Sequence, residues 1–327
     1  MKDKVLITGA SGFIGYHLVE ACLHAGLEVS AAVRPSSDVA HFADMNLKYV
    51  TPAFGNTDEL RRHIAEGGYD YVIHAAGITR AKTQHDYNKV NAEYTRNLAQ
   101  AVKDTQVKKF IFLSSLAAIG PTVYDDPNPI TEERTPQPVT SYGRSKLLAE
   151  QYLNEIEIPK IIFRPTAVYG PREKDIFIVF KTLASRIEPY IGRGAQTLSF
   201  IHGQDIADVV VKAMYSDIAD ATYNLSDGKK YDKYELANII KKELGRSAFR
   251  LHVPMGIARL IAASLEQLYK NSDKAPTLNK EKLAELAAEN WNCSIERVQK
   301  DLDFTPRFDL YSGVANTVQW YKNNNWL

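Results

Sequence analysis

Residues 5–15 read VLITGASGFIG, which combines an apolar strand, a tight turn with three glycines and the start of a helix. The glycines Gly9, Gly12 and Gly15 are separated from one another by two residues. A buried strand that turns into a helix within a few residues needs backbone angles that glycine adopts most easily, and Gly9 stands at that point. The order of strand, turn and helix predicts a phosphate-binding cradle.

The other two glycines have separate roles in this prediction. Gly12 lets the backbone approach a pyrophosphate, whose negative charge meets free N–H groups and the positive end of the helix dipole. Gly15 removes a side chain where helix and strand pack. The competing interpretation is an ordinary glycine turn, and the apolar strand before it favours the cradle. One helical face then carries Phe13, Ile14, Leu18, Val19, Cys22 and Leu23.

The charge balance argues against nucleic acid as a partner. The 327 residues include 40 Lys and Arg against 39 Asp and Glu, so no basic field is available to neutralise phosphates. We therefore expect a small-molecule or lipid substrate and no nucleic acid. The two cysteines, Cys22 and Cys293, are typical of a reducing compartment and are not expected to form a disulfide.

No targeting or membrane-spanning segment is evident. The first strand starts at Lys4 and Val5, which predicts a cytoplasmic protein. The longest apolar helix candidate, Met255–Leu268, is too short to cross a bilayer and contains Arg259 and Glu266, so no transmembrane segment is expected. We interpret it as a wall of a substrate lobe, with shallow contact with a lipid surface as the alternative.

Strand-like and helical patterns alternate through the first half of the chain. This alternation predicts an α/β fold with a doubly wound parallel sheet. The predicted strands are Val5–Thr8, Glu28–Val33, Leu47–Val50, Tyr71–Ala75, Phe110–Ser114 and Lys160–Arg164. The predicted helices are Phe13–Ala25, Asp58–Ala65, Asn88–Lys103 and Ser141–Glu155.

The pattern loosens after Arg164. Phe200–His202 is predicted to return to the sheet, Thr222–Leu225 to add a further strand, and the tail from Tyr231 to be mostly helical. We expect a dinucleotide-binding domain formed by residues 1–165 and 200–226. A smaller, mostly helical substrate lobe would comprise residues 166–199 and 227–327, with ligands at the carboxyl edge of the sheet.

Tyr142 and Lys146 are four residues apart at the head of a predicted helix and therefore share a helical face. A phenol ionises near pH ~10, so it needs assistance to act as a general acid or base at neutral pH. A nearby ammonium would favour phenolate. By itself the pair is also a common surface pattern. The preceding strand ends in Ser114 and Ser115, which brings hydroxyl groups to the same sheet edge.

Together, Thr8-Gly9-x-x-Gly12-x-x-Gly15 and Tyr142-x-x-x-Lys146 resemble the short-chain dehydrogenase/reductase family. The length of the chain is typical of the extended, epimerase/dehydratase-like branch of that family, and this resemblance implies a Rossmann fold. The resemblance assigns the catalytic roles to Ser115, which would hold the substrate oxygen, Tyr142, which would transfer the proton, and Lys146, which would lower the phenol pKa and hold the cofactor ribose. Hydride would pass to or from the nicotinamide C4.

Further segments resemble family landmarks from residue 4 to about 226. They are His74-Ala75-Ala76-Gly77, the helix with Asn91, Thr95 and Asn97, the loop Arg164–Gly170, and Phe200–Asp208, in which Asp205 is expected to be structural. The resemblance implies no metal and a homodimer formed by helices 88–103 and 141–155. It implies cofactor contacts from Gly9, Ser11, Gly12, Phe13, Ile14, Gly15, Arg34, Ser37, Ala75, Ala76, Gly77, Ser114, Tyr142, Lys146, Pro165 and Val168.

The end of the second strand decides between NADP and NAD. An acid there would bind a ribose 2′-hydroxyl, whereas Arg34, Ser36 and Ser37 offer a guanidinium and two hydroxyls suited to a 2′-phosphate. This favours NADP, and the alternative is that Arg34 stacks on adenine with either cofactor. The acid that the family usually has after the third strand is replaced around Pro52-Ala53-Phe54.

Two departures from the family narrow the reaction. Dehydratases place Thr-Asp-Glu where this chain has Ser115-Leu116-Ala117, so water loss has no evident acid. Nucleotide-sugar epimerases commonly place Arg-Asp where this chain has Leu198-Ser199, although Arg172, Arg186 or Arg193 could replace that charge. The chain also resembles the dihydroflavonol-reductase and 3β-hydroxysteroid-dehydrogenase branch. We expect an NADP(H)-dependent reductase of an apolar ketone or aldehyde, with a nucleotide-sugar 4-epimerase or a non-catalytic dinucleotide sensor as alternatives.

Overall fold

A computed structural model describes residues 2–269, 272, 276 and 278–327. Seven parallel strands form the main sheet, in the order β3-β2-β1-β4-β5-β6-β11. The strands are β1 (Lys4–Thr8), β2 (Glu28–Ala32), β3 (Lys48–Val50), β4 (Tyr71–His74), β5 (Lys109–Leu113), β6 (Lys160–Pro165), β7 (Ala167–Tyr169), β8 (Ile187–Ile191), β9 (Thr197–Leu198), β10 (Phe200–His202), β11 (Asp220–Leu225), β12 (Tyr231–Asp232) and β13 (Phe249–Val253).

Twelve α-helices accompany these strands within the described residues. They are α1 (Phe13–His24), α2 (Thr57–Gly67), α3 (Gln84–Asn88), α4 (Tyr94–Val102), α5 (Ser141–Asn154), α6 (Phe177–Ala184), α7 (Gly203–Tyr215), α8 (Glu235–Leu244), α9 (Met255–Leu268), α10 (Lys280–Ala287), α11 (Glu296–Leu302) and α12 (Leu310–Asn323). Five of them follow β11, so the mostly helical character predicted for the tail is confirmed.

Alternate residues of β1 enter two different cores. Val5 and Ile7 pack with α1 and α7, whereas Leu6 packs with α2, α4 and α5 on the other face. A parallel strand with both faces covered loses its polar alternation, which explains the continuous apolar run that the sequence shows there. The doubly wound parallel sheet predicted from the sequence is confirmed.

The predicted strands of the sheet end within one residue of the observed ones. The long helix predicted over residues 88–103 is instead divided into α3, a π-helical turn at Lys89–Glu93, and α4. A π-turn adds one residue to the helical repeat and shifts which side chains face inward. Here it places Asn91 in a fully buried position.

The prediction that Phe200–His202 returns to the main sheet is wrong. That segment, β10, pairs in parallel with β7 and forms a separate two-stranded sheet. The place beside β6 belongs to β11, whose register runs over six residue pairs from Asp220 to Leu225. The strand predicted at Thr222–Leu225 is therefore confirmed, and it occupies the edge that β10 would have needed.

The lobe after β6 has its own apolar core. Tyr169, Phe180, Ile240 and Tyr321 are buried there, from β7, α6, α8 and α12. No helix among the described residues is long and apolar enough to span a membrane. Cys22 and Cys293 are both buried free thiols. The division of the chain into two domains stays a prediction. β7 belongs to the predicted substrate lobe and β10 to the predicted dinucleotide-binding domain, and these two strands pair with each other.

Candidate functional site

The turn after β1 requires glycine at two positions. Gly9 has a φ of +70°, and a Cβ there would lie 2.7 Å from the backbone of Ala75. A Cβ at Gly15 would lie 2.1 Å from the carbonyl oxygen of Gly9, closer than any real contact. Gly15 therefore makes room for the turn itself, rather than for packing of the helix on the strand as its spacing had suggested.

The first turn of α1 offers free hydrogen-bond donors. Its N-cap is the exposed Gly12, which supplies no side-chain oxygen, and the first turn contains no acidic residue. The opening N–H groups of a helix attract anions when no side chain caps them. This end of α1, with half-buried Ser11, Phe13 and Ile14 beside it, therefore fits the pyrophosphate of a dinucleotide.

His74 organises the end of β4 through a directed chain of hydrogen bonds. Thr95 donates to the carbonyl of Asn91 at 2.8 Å, so it accepts from His74 Nε2 at 2.9 Å. His74 Nδ1 then accepts from the Thr8 hydroxyl at 2.6 Å, and Thr8 in turn accepts from the Ala76 N–H at 3.2 Å. Burial lowers the pKa of His74 to about 3, which keeps the ring neutral. This series of hydrogen bonds fixes the backbone of Ala76 beside Gly9.

Asn91, brought inward by the π-turn, ties three elements together. Its Oδ1 accepts from the N–H of Ile78 at 2.8 Å, and its Nδ2 donates to the carbonyl of Ile78 at 3.0 Å. Nδ2 also donates to Ser145 Oγ at 2.9 Å, and Ser145 donates to the carbonyl of Tyr142. The loop after β4 and the start of α5 are thereby held in one position.

The structure brings Ser115, Tyr142 and Lys146 to the same edge of the sheet. The Ser115 hydroxyl lies close enough to the Tyr142 phenol to lower its pKa. Lys146 Nζ donates to the carbonyl of Leu113 at 2.8 Å, and a Cβ at Gly77 would lie 3.4 Å from it. Thr140 caps α5 by accepting from the N–H of Gly143, which fixes where the helix begins. The arrangement can hold a carbonyl oxygen between two hydroxyls with an ammonium close by.

Burial dominates the ionisation of both groups on α5. It raises the pKa of Tyr142 to about 12, while the Ser115 hydroxyl lowers it and Glu285 and Tyr87 raise it further. Burial lowers the pKa of Lys146 to about 8, against the raising effect of Glu150. Among the described residues, Ser115 is the group that lowers the pKa of Tyr142. The pKa-lowering role of Lys146 stays a prediction for the cofactor-bound enzyme.

Ser114 directs its hydroxyl away from this edge. It donates to Glu150, which also receives Arg164 through Nε at 3.0 Å and Nη2 at 2.6 Å. All three side chains are buried, and Glu150 lies one helical turn beyond Lys146. A contact of Ser114 with the cofactor would therefore fall to its backbone. Sequence reasoning missed this ion pair, because Glu150 and Arg164 meet only once α5 has packed beside β6.

Arg34 lies in an exposed turn at the carboxyl end of β2. Ser37 Oγ accepts from the Arg34 N–H at 3.1 Å, and the Ser37 N–H donates to the Arg34 carbonyl at 2.9 Å. The turn is thereby closed by backbone and hydroxyl, which leaves the guanidinium exposed at the sheet edge. In the segment after β3, where the family usually has an acid, Phe54 stacks against Tyr94 with ring centroids 6.1 Å apart.

The loop after β6 contributes less accessible groups. Pro165 is buried within the strand and pairs with Leu225, whereas Val168 in β7 is half-buried. Asp205 accepts from the backbone N–H groups of Arg307 and Phe308, as expected for a structural carboxylate. Of the predicted cofactor residues, those at β1, β4 and α5 converge, while Pro165 is enclosed.

A cavity of about 430 Å³ lies between the segment around Tyr124 and the lobe, and Ser115, Tyr142 and Lys146 are not among its described lining residues. It is lined by Val123, Tyr124, Asp125, Ile191, Gly192, Gly194, Ala195, Gln196, Met255, Ala287 and Glu289. None of these described residues is Lys or Arg. Sequence reasoning missed this lining, because it joins four segments that are distant along the chain.

Three arginines were candidates to replace the missing substrate charge. Arg172 stacks on the rings of Tyr16 at 3.9 Å and Trp320 at 5.3 Å, so its guanidinium is engaged elsewhere. Arg186 precedes β8, at the opposite end of that strand from the cavity. Arg193 lies between Gly192 and Gly194, which both line the cavity, and its side chain is exposed.

A carboxylate from the lobe clamps the start of α5. Glu281 on α10 accepts from the Ser141 N–H at 2.9 Å, the Ser141 hydroxyl at 2.7 Å and Arg144 Nη2 at 2.6 Å. An acidic group at a helix N-terminus also interacts favourably with the helix dipole. No local pattern indicates this contact, since 140 residues separate Glu281 from Ser141.

Comparison with known proteins places these features in a family context. Residues 5–226 match the model of the NAD-dependent epimerase/dehydratase family. A ceramide reductase of Caulobacter vibrioides is 28% identical, over 100% of this chain and 96% of the relative. A 4-epimerase of N-acetylglucosaminyl-diphospho-undecaprenol from Escherichia coli is 25% identical, over 98% and 96%. The crystal structure of a UDP-glucose 4-epimerase from Thermotoga maritima aligns with a TM-score of 0.81 at 20% identity, covering 98% of this chain and 99% of that one.

Proposed function

Because the chain belongs to the NAD-dependent epimerase/dehydratase family, an enzyme family that uses a nicotinamide dinucleotide, we propose that it is an NADP(H)-dependent reductase of an apolar ketone or aldehyde. The observation that carries this proposal is the lining of the cavity of about 430 Å³ at the lobe. It presents Tyr124, Ile191 and Met255 together with two carboxylates, and no cation among the described lining residues. A diphosphate substrate would need charge-assisted donors there.

The residues at the sheet edge have separable roles in this reaction. The end of α1 and Gly12 would hold the pyrophosphate, and Gly77 leaves space for the cofactor beside Lys146. When bound, the nicotinamide supplies a hydride to the carbonyl carbon. Ser115 would hold the carbonyl oxygen, and Tyr142 would donate the proton that completes the alcohol. Lys146, protonated below pH about 8, would stabilise the phenolate left on Tyr142.

The preference for NADP over NAD rests on Arg34. Its guanidinium is exposed where β2 ends, and the Ser37 turn that holds its backbone contains no acid. A planar guanidinium can bind a phosphate with paired hydrogen bonds, whereas a ribose hydroxyl is usually bound by a carboxylate. NAD remains the alternative cofactor, with Arg34 stacked on adenine.

The substrate we propose is a keto-lipid. A cavity without Lys or Arg among its described lining residues supports it, as does the similarity to a ceramide reductase over the full length of this chain. The test is NADPH consumption with a panel that contains a keto-ceramide, an aromatic ketone and UDP-glucose. We expect turnover with the keto-lipid, abolished in Tyr142→Phe. Consumption only with the aromatic ketone would correct the substrate class, and none with any ketone would contradict the proposal.

A nucleotide-sugar 4-epimerase is the second candidate. Arg193 at the cavity and the overall likeness to 4-epimerases support it. It would invert UDP-glucose without net consumption of cofactor, so the same panel separates the two. A non-catalytic dinucleotide sensor is disfavoured, because Ser115, Tyr142 and Lys146 are all present and brought together.

We also propose a cytoplasmic homodimer formed through α4 and α5, as family resemblance implies. On this side Arg96 stacks on Tyr152 at 4.7 Å, and the residues that face outward are half-buried or exposed. Light scattering should give twice the 36.7 kDa mass of the chain at micromolar concentration. A mass near that of one chain would refute the dimer.

A further inference from the structure

Helix α9 presents large apolar side chains to solvent. Leu260 and Leu268 are 69% and 76% exposed, and Ile257 and Ile261 are about half exposed. Only small residues of this helix, Ala258 and Ala262, are fully buried against the lobe. The exposed residues recur at separations of three, four and seven, so they form one stripe along the helix. Its hydrophobic side therefore faces outward, opposite to an ordinary surface helix.

The ribbon of β8 and β13 continues this surface. Phe249 is 75% exposed and pairs with the exposed Ile187, and Leu251 is also exposed on the same face. Further along that face, Ile191 and Val253 pack with Ala258 and Ala262 of α9. We call the set Ile187, Phe249, Leu251, Ile257, Leu260, Ile261 and Leu268 the outer apolar face.

Positive charge surrounds the outer apolar face. Segments 181–193 and 241–268 contain eight Lys and Arg against three Glu, whereas the net charge of the whole chain is +1. Glu188 is buried between Lys241 and Arg250, and Glu266 accepts from the backbone of Lys280. Glu188 therefore also balances part of the charge of Lys241 and Arg250, and with all eight cations and three carboxylates counted the two segments carry a net charge of +5.

A depression of about 480 Å³ lies immediately before β13. Lys241, Lys242 and Arg246 line it together with Gly245, Ser247 and Ala248. The cations therefore border the end of the ribbon where Phe249 and Ile187 are exposed. Arg259 lies within the helix itself and is exposed. An apolar stripe with basic residues around it is typical of a helix that lies in a membrane interface.

We propose that the outer apolar face docks on an anionic lipid bilayer, with α9 parallel to the membrane plane. The apolar residues would enter the headgroup boundary, and the surrounding cations would meet lipid phosphates. Met255, the first residue of α9, lines the cavity that also contains Tyr124 and Ile191, so docking would place that cavity at the bilayer surface. The proposal goes beyond the proposed function, because vesicle binding can be measured without cofactor or substrate.

A second copy of the chain fits this face less well. A two-fold contact brings the same surface of both copies together, and here it would oppose two positive fields. Anionic lipid offers the complementary charge. The two occupants therefore differ in their expected response to lipid composition.

The test is sedimentation with vesicles of mixed phosphatidylcholine and phosphatidylglycerol, compared with vesicles of phosphatidylcholine alone. We expect binding to the anionic vesicles, reduced by added salt. The variant Leu260→Ser/Leu268→Ser should bind at least about tenfold more weakly, since each leucine would otherwise be buried in lipid. The control is Tyr215→Ser, whose side chain is 52% exposed on α7; it should bind as the wild type does.

Circular dichroism checks that the double variant stays folded, as expected for side chains already in solvent. If it is unfolded, Arg259→Gln, which leaves the apolar stripe intact, provides the second variant and should weaken binding to anionic vesicles. Absence of wild-type binding, or equal binding by the wild type and Leu260→Ser/Leu268→Ser, would overturn the proposal. Light scattering that shows a dimer lost in the double variant, without vesicle binding, would assign the face to a second copy.

Discussion

The cofactor edge of the sheet and the outer side of the lobe differ in how completely their groups are satisfied. At the edge, Thr8, His74 and Asn91 are buried and form directed hydrogen bonds to backbone and to one another. On the lobe, α9 and β13 leave leucines and a phenylalanine in solvent. A region whose buried polar groups are all hydrogen-bonded is rigid without a partner, whereas a large apolar surface exposed to water indicates a binding partner. The first region therefore suits a fixed cofactor and the second an apolar ligand or lipid.

The largest expected effect is at the centre of the cofactor edge. Tyr142→Phe deletes the hydroxyl that lies near Ser115 and would transfer the proton, and it keeps the aromatic ring. We expect turnover to fall by on the order of 10²–10⁴-fold, with cofactor binding unchanged. Steady-state rates and cofactor titration measure both quantities. Turnover within a few-fold of the wild type would remove Tyr142 from the mechanism.

The glycine turn provides two variants, one expected to lose stability and the other expected to lose cofactor affinity. In Gly15→Ala the Cβ would overlap the Gly9 carbonyl, so we expect a loss of about 1–3 kcal/mol in the free energy of unfolding. In Gly12→Ala the nearest atom is 3.2 Å away, so stability should change by less than about 1 kcal/mol while cofactor affinity falls. Urea unfolding and cofactor titration check the pair. Unchanged cofactor affinity in Gly12→Ala would show that the phosphates bind elsewhere.

Arg34 tests which cofactor the edge recognises. Charge-assisted hydrogen bonds contribute about 1.5–3 kcal/mol, so Arg34→Ala should weaken NADPH binding by roughly one to two orders of magnitude. NADH binding should change much less. Titration of both cofactors into wild type and variant gives four affinities. An equal loss for both would mean that Arg34 stacks on adenine, and a wild type that prefers NADH would overturn the assignment.

The buried histidines predict a smaller effect, on stability in acid. Burial lowers the pKa of His17 to about 4 and those of His74 and His202 to about 3. Below pH about 6.5 the unfolded chain takes up protons that the folded chain excludes. Each histidine then costs about 1.4 kcal/mol of stability per pH unit. Urea unfolding at about pH 7 and about pH 5 should show this loss, and equal stability at both would contradict it.

Local patterns in the sequence predicted most of the sheet and the catalytic candidates. Tyr142 and Lys146 were identifiable because four residues of helix bring side chains to one face. The hydrogen bond of Ser114 was not, since its hydroxyl meets the ion pair of Glu150 with Arg164 by donating to Glu150, and this contact needs β5, α5 and β6 to assemble. Glu281 and the cavity lining likewise depend on contacts between segments far apart in sequence. The misplaced Phe200–His202 strand shows the same limit, because its apolar pattern fits either sheet.

The most direct test of the proposed reaction is the fate of a labelled hydride. NADPH that carries deuterium at C4 of the nicotinamide is incubated with the enzyme and a keto-lipid, and the product is analysed by mass spectrometry. We expect deuterium at the new alcohol carbon, with one NADPH consumed for each alcohol formed, and no transfer by Tyr142→Phe. Inversion of a sugar nucleotide with no NADPH consumed and no alcohol formed from the keto-lipid would contradict the reductase assignment.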